Sequence, residues 1–74
     1  MVDVEVDARG LNCPLPILRA KKALNDMRSG QTLKIVATDP GAADDFEVFS
    51  RRTGNALVAV TEAGGEYTIL LKKA

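Results

Sequence analysis

The chain has 74 residues, of which 46% are hydrophobic and 27% charged, and its ten basic residues balance its ten acidic ones. A chain of this length is expected to form one domain, over residues 1–74, that buries about 60% of its unfolded surface. The even charge argues against direct binding of nucleic acid, which takes most of its affinity from basic residues that displace phosphate counterions. The amino terminus lacks a signal-peptide pattern and no apolar run is long enough to span a membrane, so we expect a cytoplasmic protein without a membrane partner.

The first predicted elements are a strand and a helix. The opening residues MVDVEVD alternate apolar and acidic side chains, which predicts a strand with one buried face. Apolar residues then recur at three- and four-residue steps, as in the buried stripe of a helix: Ile17, Ala20, Leu24 and Met27. This helix is expected to begin at Cys13 and to end at Ser29 and Gly30, because glycine suits a left-handed cap.

The second half of the chain predicts one more strand, one more helix and a hairpin. The segment QTLKIVATD alternates in the manner of a strand, and we expect it at the centre of the sheet. Asp39 and Pro40 are typical of a helix cap and a first helical residue. The predicted buried stripe of this helix is Ala42, Phe46, Phe49 and Thr53. The final segment, NALVAVTEAGGEYTILLKK, predicts two strands joined at Gly64 and Gly65.

This order, strand, helix, strand, helix, strand, strand, predicts an α/β (α+β) fold: a two-layer sandwich with a four-stranded mixed sheet. The first two strands should be parallel with a right-handed crossover, and the last two antiparallel. The acidic residues of the first strand, together with Lys34 and Lys72, indicate that one face of the sheet meets water. Both helices are therefore expected on the other face.

The sequence RGLNCPLP contains Cys13, the only cysteine of the chain, and the chain has no histidine. An internal disulfide and a usual zinc site are both excluded by this composition. Asp39, Asp44 and Asp45 could suggest a metal site, but capping and the helix dipole already account for them. We therefore expect neither a metal nor a cofactor, and any chemistry of this segment belongs to the thiol.

The predicted position of Cys13, as the cap residue of the first helix, favours its anionic form. Partial positive charge at a helix amino terminus lowers the pKa of a cysteine there. Pro14 and Pro16 lack N–H groups, which leaves Leu15 and Ile17 as the nearby helical donors that could bind the sulfur. Arg9 could also support the thiolate, although a solvated loop position is an equally good interpretation.

The residues around the thiol restrict its chemistry. Pro16 stands where a redox motif would have its second cysteine, so a disulfide oxidoreductase would lack a resolving thiol. A hydrolase would need a base, which a chain without histidine does not offer. A thiol that accepts sulfane sulfur and passes it to another thiol needs neither a resolving cysteine nor a histidine base, so this chemistry fits the sequence.

The segment DARGLNCPLPILRAKKAL resembles the signature of the TusA (SirA-like) sulfur-carrier family, and the spacing to TLKIVATDPGAADDF and TGNAL is similar to that family. The resemblance implies a mixed sheet of order 1-2-4-3 whose last strand is antiparallel to the others. It also implies a sulfurtransferase-type carrier in which Cys13 takes sulfur as a persulfide from a donor protein, such as a cysteine desulfurase or a rhodanese. An acceptor protein then receives the sulfur. Some members have an acidic residue where this chain has Leu15, so the pathway stays open among tRNA thiolation, molybdenum cofactor assembly, sulfur oxidation and selenium handling.

A carrier must present its sulfur to at least two proteins, so the surface near Cys13 should include a docking rim, predicted as Leu18, Lys21 and Lys22. Basic residues on a helix are more often only its solvated face. A second class of function also stays open, a regulatory or RNA-contacting binding module in which the thiol is incidental. The small, charge-balanced surface favours a monomer.

Overall fold

The computed structural model describes residues 2–74, which form one sheet covered by two helices. The elements in chain order are β1 (Val4–Ala8), α1 (Leu15–Asn25), β2 (Thr32–Ala37), α2 (Ala42–Thr53), β3 (Ala56–Ala63) and β4 (Glu66–Lys72). This order confirms the predicted succession of strands and helices. No helix in this part of the chain combines the length and the apolar character needed to cross a bilayer.

The sheet is mixed, with strand order β1-β2-β4-β3. Strands β1 and β2 are parallel, with Val6 opposite Ile35. Strand β4 is antiparallel to both of its neighbours, and Ile69 lies opposite Ile35 on one side and Val60 on the other. The predicted topology, including the central position of the second strand, is confirmed.

The core lies between the sheet and the two helices, which pack on the same face. Helix α1 contacts β1 and β2, whereas α2 contacts β3 and β4. The rings of Phe46 and Phe49 meet edge to face with centroids 6.1 Å apart. The largest fully buried side chains are Phe46, Leu33, Ile35, Ile69 and Leu71. On the opposite face Lys34 forms an ion pair with Glu5 at 3.6 Å, which confirms the predicted solvated face.

Helix α1 is shorter than predicted at both ends. The N–H of Leu15 donates to the carbonyl of Asn12 at 2.8 Å, and the first bond of the helix runs from the N–H of Leu18 to the carbonyl of Pro14 at 3.1 Å. The backbone therefore closes a separate turn across Cys13 before α1 begins, and Pro14 takes the cap position. At the other end the helix stops at Asn25, and the prediction that it continues to Ser29 and Gly30 is wrong.

Helix α2 also begins later than its sequence suggested. The carbonyl of Asp39 accepts a bond from the N–H of Ala42 at 3.0 Å, so this segment forms a turn and Gly41 takes the cap position. Asp39 makes no capping bond with its side chain, which corrects the predicted cap. Thr53, expected in the buried stripe, is exposed. The helix ends at Gly54, whose φ of 80° lies in the left-handed region that glycine adopts without strain.

Candidate functional site

Cys13 is exposed and lies in the loop between β1 and α1. This loop is fixed at its start, where Gly10 has φ 79° and donates its N–H to the hydroxyl of Thr38 at 2.8 Å. Because β1 and β2 are parallel, their carboxyl ends meet at one edge of the sheet. The loop that carries the thiol therefore lies beside the segment that leads from β2 into α2.

That neighbouring segment brings two carboxylates to the thiol. Asp45, in the first turn of α2, lies close enough to the Cys13 thiol to influence its pKa. Stabilisation of the protonated thiol by Asp45, followed by desolvation and by the negative charges of Asp45 and Asp39, raises the pKa of Cys13 above its ordinary value. The carboxylates also lie close to Gly41, since a β-carbon at that residue would be 3.7 Å from Oδ2 of Asp39 and 3.8 Å from Oδ2 of Asp45.

The predicted lowering of the cysteine pKa is therefore wrong, for two structural reasons. Cys13 precedes the cap residue instead of occupying it, so it is not at the point where the helix dipole acts most strongly. One of the two donors expected for the sulfur, the N–H of Leu15, is already bonded to Asn12. The carboxylates then decide the sign of the shift.

Arg9 does not place its charge on the thiol. Its guanidinium donates to Asp7 from Nε at 2.9 Å and from Nη2 at 3.1 Å, and it forms an ion pair with Glu66 at 3.6 Å. The bonds from Arg9 lower the pKa of Asp7 to about 2. Arg9 therefore pairs with Asp7 and Glu66, and the charged residues that shift the pKa of Cys13 are Asp45 and Asp39.

The two prolines have different surroundings. Pro14 is exposed next to the thiol, whereas Pro16 is buried in the first turn of α1. Pro16 was predicted to act on the thiol, and sequence reasoning missed that it also belongs to the packed side of the helix. Pro14, the cap residue, has φ −98°, outside the helical range, and the ring of each proline restricts rotation about its N–Cα bond, which stiffens the backbone on the carboxyl side of Cys13.

The predicted docking rim of Leu18, Lys21 and Lys22 is exposed, but its basic residues face different grooves. The side chain of Leu18 is 52% exposed, and that of Leu15, one turn earlier, is 46% exposed. Lys22 lines a groove beside β1 together with Glu5, Asp7, Arg19 and Asp26. Lys21 lines another groove, towards the end of α2, with Phe49, Thr53 and Lys73. Leu18 is one turn before both lysines on α1.

A further polar residue went unnoticed in the sequence. Asn55 is 6% exposed and joins the end of α2 to the last residues of the chain. Its Nδ2 donates to the hydroxyl of Thr53 at 2.9 Å, and its Oδ1 accepts the N–H of Ala74 at 2.9 Å. The segment TGNAL, which contributed to the family resemblance, thus contains a structural bond network far from the thiol in sequence.

Comparison with known proteins places this arrangement in a family. The family model described as "Sulfurtransferase TusA" matches residues 4–73. The chain belongs to the TusA family. A sulfur carrier protein TusA of Allochromatium vinosum is 59% identical over 71 residues, which cover 96% of this chain and 93% of that protein.

Other TusA relatives match along nearly the whole chain. A putative sulfur carrier protein of Neisseria meningitidis serogroup B is 51% identical over 67 residues, which cover 90% of this chain and 90% of that protein. A sulfur carrier protein TusA of Pseudomonas aeruginosa is 38% identical over 72 residues, covering 97% of this chain and 91% of that protein.

The TusA fold itself is matched by an experimental structure. The crystal structure of a SirA-like protein from Desulfitobacterium hafniense superposes with a TM-score of 0.84, at 21% identity, over 95% of this chain and 96% of that one. At this identity the likeness concerns the fold, and it agrees with the strand order described above.

Proposed function

We propose that this protein is a sulfur carrier in which Cys13 holds sulfane sulfur as a persulfide and passes it to an acceptor protein. The observation that carries the proposal is an exposed, free thiol in the Cys-Pro-Leu-Pro loop of a chain from the TusA family. The named sulfur carriers among its relatives support the same function. They favour it over a binding module in which the thiol is incidental.

The loading step is a thiol–persulfide exchange. The sulfur of Cys13 bonds to the outer sulfur of a donor persulfide, the sulfur–sulfur bond of the donor breaks, and the donor cysteine leaves as a thiol. The products are a Cys13 persulfide and a reduced donor, so the exchange needs no external oxidant. Delivery to an acceptor thiol repeats the same exchange in the other direction.

The chain suits transfer between proteins better than turnover of a small substrate. It has one cysteine and no histidine, so it can neither resolve a mixed disulfide internally nor supply an imidazole base. Its sulfurtransferase activity is that of a carrier, with a cysteine desulfurase or a rhodanese as donor. A carrier thiol must stay reduced, and the glutathione and thioredoxin systems of the cytosol keep exposed thiols reduced, so the function fits a cytoplasmic location.

The donor should bind the surface that continues from the thiol along α1. Leu15 and Leu18 expose about half of their apolar side chains there, and burial of such residues on docking is favourable. The lysines of the docking rim, on either side of Leu18, add charge that acts mainly on the rate of encounter.

The proposal is tested by loading the purified protein with a cysteine desulfurase and free cysteine, followed by intact-mass spectrometry without reductant. The wild type should gain the mass of one sulfur atom, and reductant should remove it. Cys13→Ser differs by a single atom at an exposed position, so it is the matched control and should gain nothing. An equal gain in Cys13→Ser would place the carrier site elsewhere and overturn the proposal.

A further inference from the structure

A side-chain hydroxyl from another part of the chain holds the start of the Cys13 loop. Oγ1 of Thr38 accepts a hydrogen bond from the N–H of Gly10 at 2.8 Å, although the two residues are 28 positions apart along the chain. The other backbone N–H bonds of residues 10–15 are local and run from Leu11 to Ala8 and from Leu15 to Asn12. Thr38 therefore attaches the loop to the end of β2.

The two partners of this bond differ in how firmly they are held. Thr38 directly follows Ala37, the fully buried last residue of β2. Strand β2 pairs with β1 on one side and with β4 on the other, so its end is held from both sides. Gly10 is exposed and has φ 79°, a backbone conformation that glycine adopts without strain. The bond thus joins a conformationally free residue of the loop to a rigid strand in the middle of the sheet.

The bond is close to the thiol along the chain. Cys13 is three residues after Gly10, so their Cα atoms are separated by at most about 11 Å. Leu11, between them, is half-buried and packs against the core. On the other side the proline-rich start of α1 stiffens the backbone. Loss of the bond to Thr38 would free the amino-terminal side of the loop and leave the other side in place.

We propose that Thr38 is a positioning residue for sulfur transfer, whose hydroxyl holds the loop through Gly10 so that Cys13 meets the persulfide of a docked donor in one orientation. This role rests on the proposed function and adds a residue outside the thiol segment to the same site. Thr38 acts on the reacting sulfur only through the loop. Docking of the donor stays with the exposed surface of α1.

Orientation matters because the exchange is directional. The thiolate of Cys13 attacks the outer sulfur of the donor persulfide, and the inner sulfur leaves with the bonding electron pair and takes up the proton that Cys13 lost. Such a displacement needs the reacting atoms close together with their orbitals aligned, and a misplacement of about 1 Å can slow a reaction about 100-fold. A single solvent-accessible hydrogen bond biases the position of the loop by a smaller factor, about three- to fivefold.

The test is Thr38→Val, which keeps the β-branched shape and removes the hydroxyl. A cysteine desulfurase that already carries its persulfide is mixed in excess with the carrier, and single-turnover loading is followed by intact mass at several donor concentrations. The maximal loading rate should fall about three- to fivefold. The donor concentration that gives half of this rate should stay near that of the wild type, because the docking surface is unchanged. Alkylation of Cys13 by iodoacetamide should also change little, since a small reagent needs no docked geometry.

Two variants control for the loss of the hydroxyl. Thr38→Ser keeps the hydroxyl and should load at nearly the wild-type rate. Thr68→Val is the matched control, because Thr68 is half-buried like Thr38 but lies on β4 opposite Val36, and its hydroxyl makes no hydrogen bond with the loop in residues 2–74. Amide exchange at Gly10, measured by NMR, should become faster in Thr38→Val and stay unchanged in the two controls. Thr38→Ala replaces Thr38→Val if circular dichroism shows that valine perturbs the fold.

The outcomes separate this role from the carrier function. An unchanged maximal loading rate in folded Thr38→Val, an equal loss in Thr38→Ser or Thr68→Val, or an equal fall in alkylation would overturn the role of Thr38. Normal loading of the wild type and of Thr38→Val alike would leave the carrier function standing. Absence of a persulfide on Cys13 in every protein, the wild type included, would refute the carrier function itself.

Discussion

Replacement of Leu18 by glutamine should slow sulfur loading without weakening the fold. Leu18 is 52% exposed on α1, so about half of its side chain is available for burial by a docked donor. Complete burial of a leucine contributes about 1.5–3 kcal/mol, and half of that is about 1 kcal/mol. Since 1.4 kcal/mol corresponds to a factor of ten, affinity for the donor should fall about fivefold. Glutamine keeps the helix propensity close to that of leucine.

The assay is the rate of persulfide formation at subsaturating cysteine desulfurase, measured by intact mass. Val58→Thr is the matched control, because Val58 is 57% exposed on β3, whereas α1 packs on the opposite half of the sheet. Both variants should keep their free energy of unfolding within about 0.5 kcal/mol of the wild type. Wild-type loading of Leu18→Gln, or an equal loss in Val58→Thr, would refute docking through Leu18.

Two further predictions concern the lysines of α1 and the buried Asn55. Reversal of both Lys21 and Lys22 to glutamate should slow sulfur loading severalfold at low salt and less at high salt, because salt screens the electrostatic attraction between carrier and donor. Unchanged loading at low salt would show that the two lysines are only a solvated face of the helix. The two single variants would show which of the two grooves contributes to docking. Asn55→Ala should lower the free energy of unfolding by about 2 kcal/mol, at about 1 kcal/mol for each of its two side-chain bonds, to Thr53 and Ala74. Urea denaturation measures this, and a loss below about 0.5 kcal/mol would contradict the assigned network.

The fold could be predicted from the sequence because each element has a clear periodicity. Val4 and Val6 alternate with acids in β1, and Leu33, Ile35 and Ala37 alternate with half-buried residues in β2. These patterns depend only on the order of apolar and polar residues along the chain, so they can be recognised in the sequence and are found again in the folded protein. The first residue of each helix was harder to predict, because backbone hydrogen bonds to the preceding turn decide where the helix begins. Any residue type can supply the carbonyl for such a bond, so the sequence gives little sign of it.

The environment of Cys13 could be predicted only in part. The thiol as the reactive group and its lack of a resolving partner followed from composition and from Pro16, whereas its position in a loop did not, because Cys13 was expected to cap the first helix. The influence of Asp45 on the thiol could not be predicted, because Asp45 lies on α2 and Cys13 in the loop before α1, and the helix dipole already explained an acid at that position. The one available signal was the parallel arrangement of β1 and β2, which brings both loops to the same edge of the sheet.

The central claim is that Cys13 both accepts sulfur and passes it on, and a two-step relay tests this most directly. The protein is loaded with radiolabelled sulfur from a cysteine desulfurase, separated from the donor and mixed with a reduced rhodanese as the acceptor thiol. The account predicts that the label leaves the carrier and appears on the active-site cysteine of the rhodanese, and that Cys13→Ser transfers none. Label that stays on the loaded carrier until a small reductant is added, or transfer that Cys13→Ser supports equally well, would contradict it.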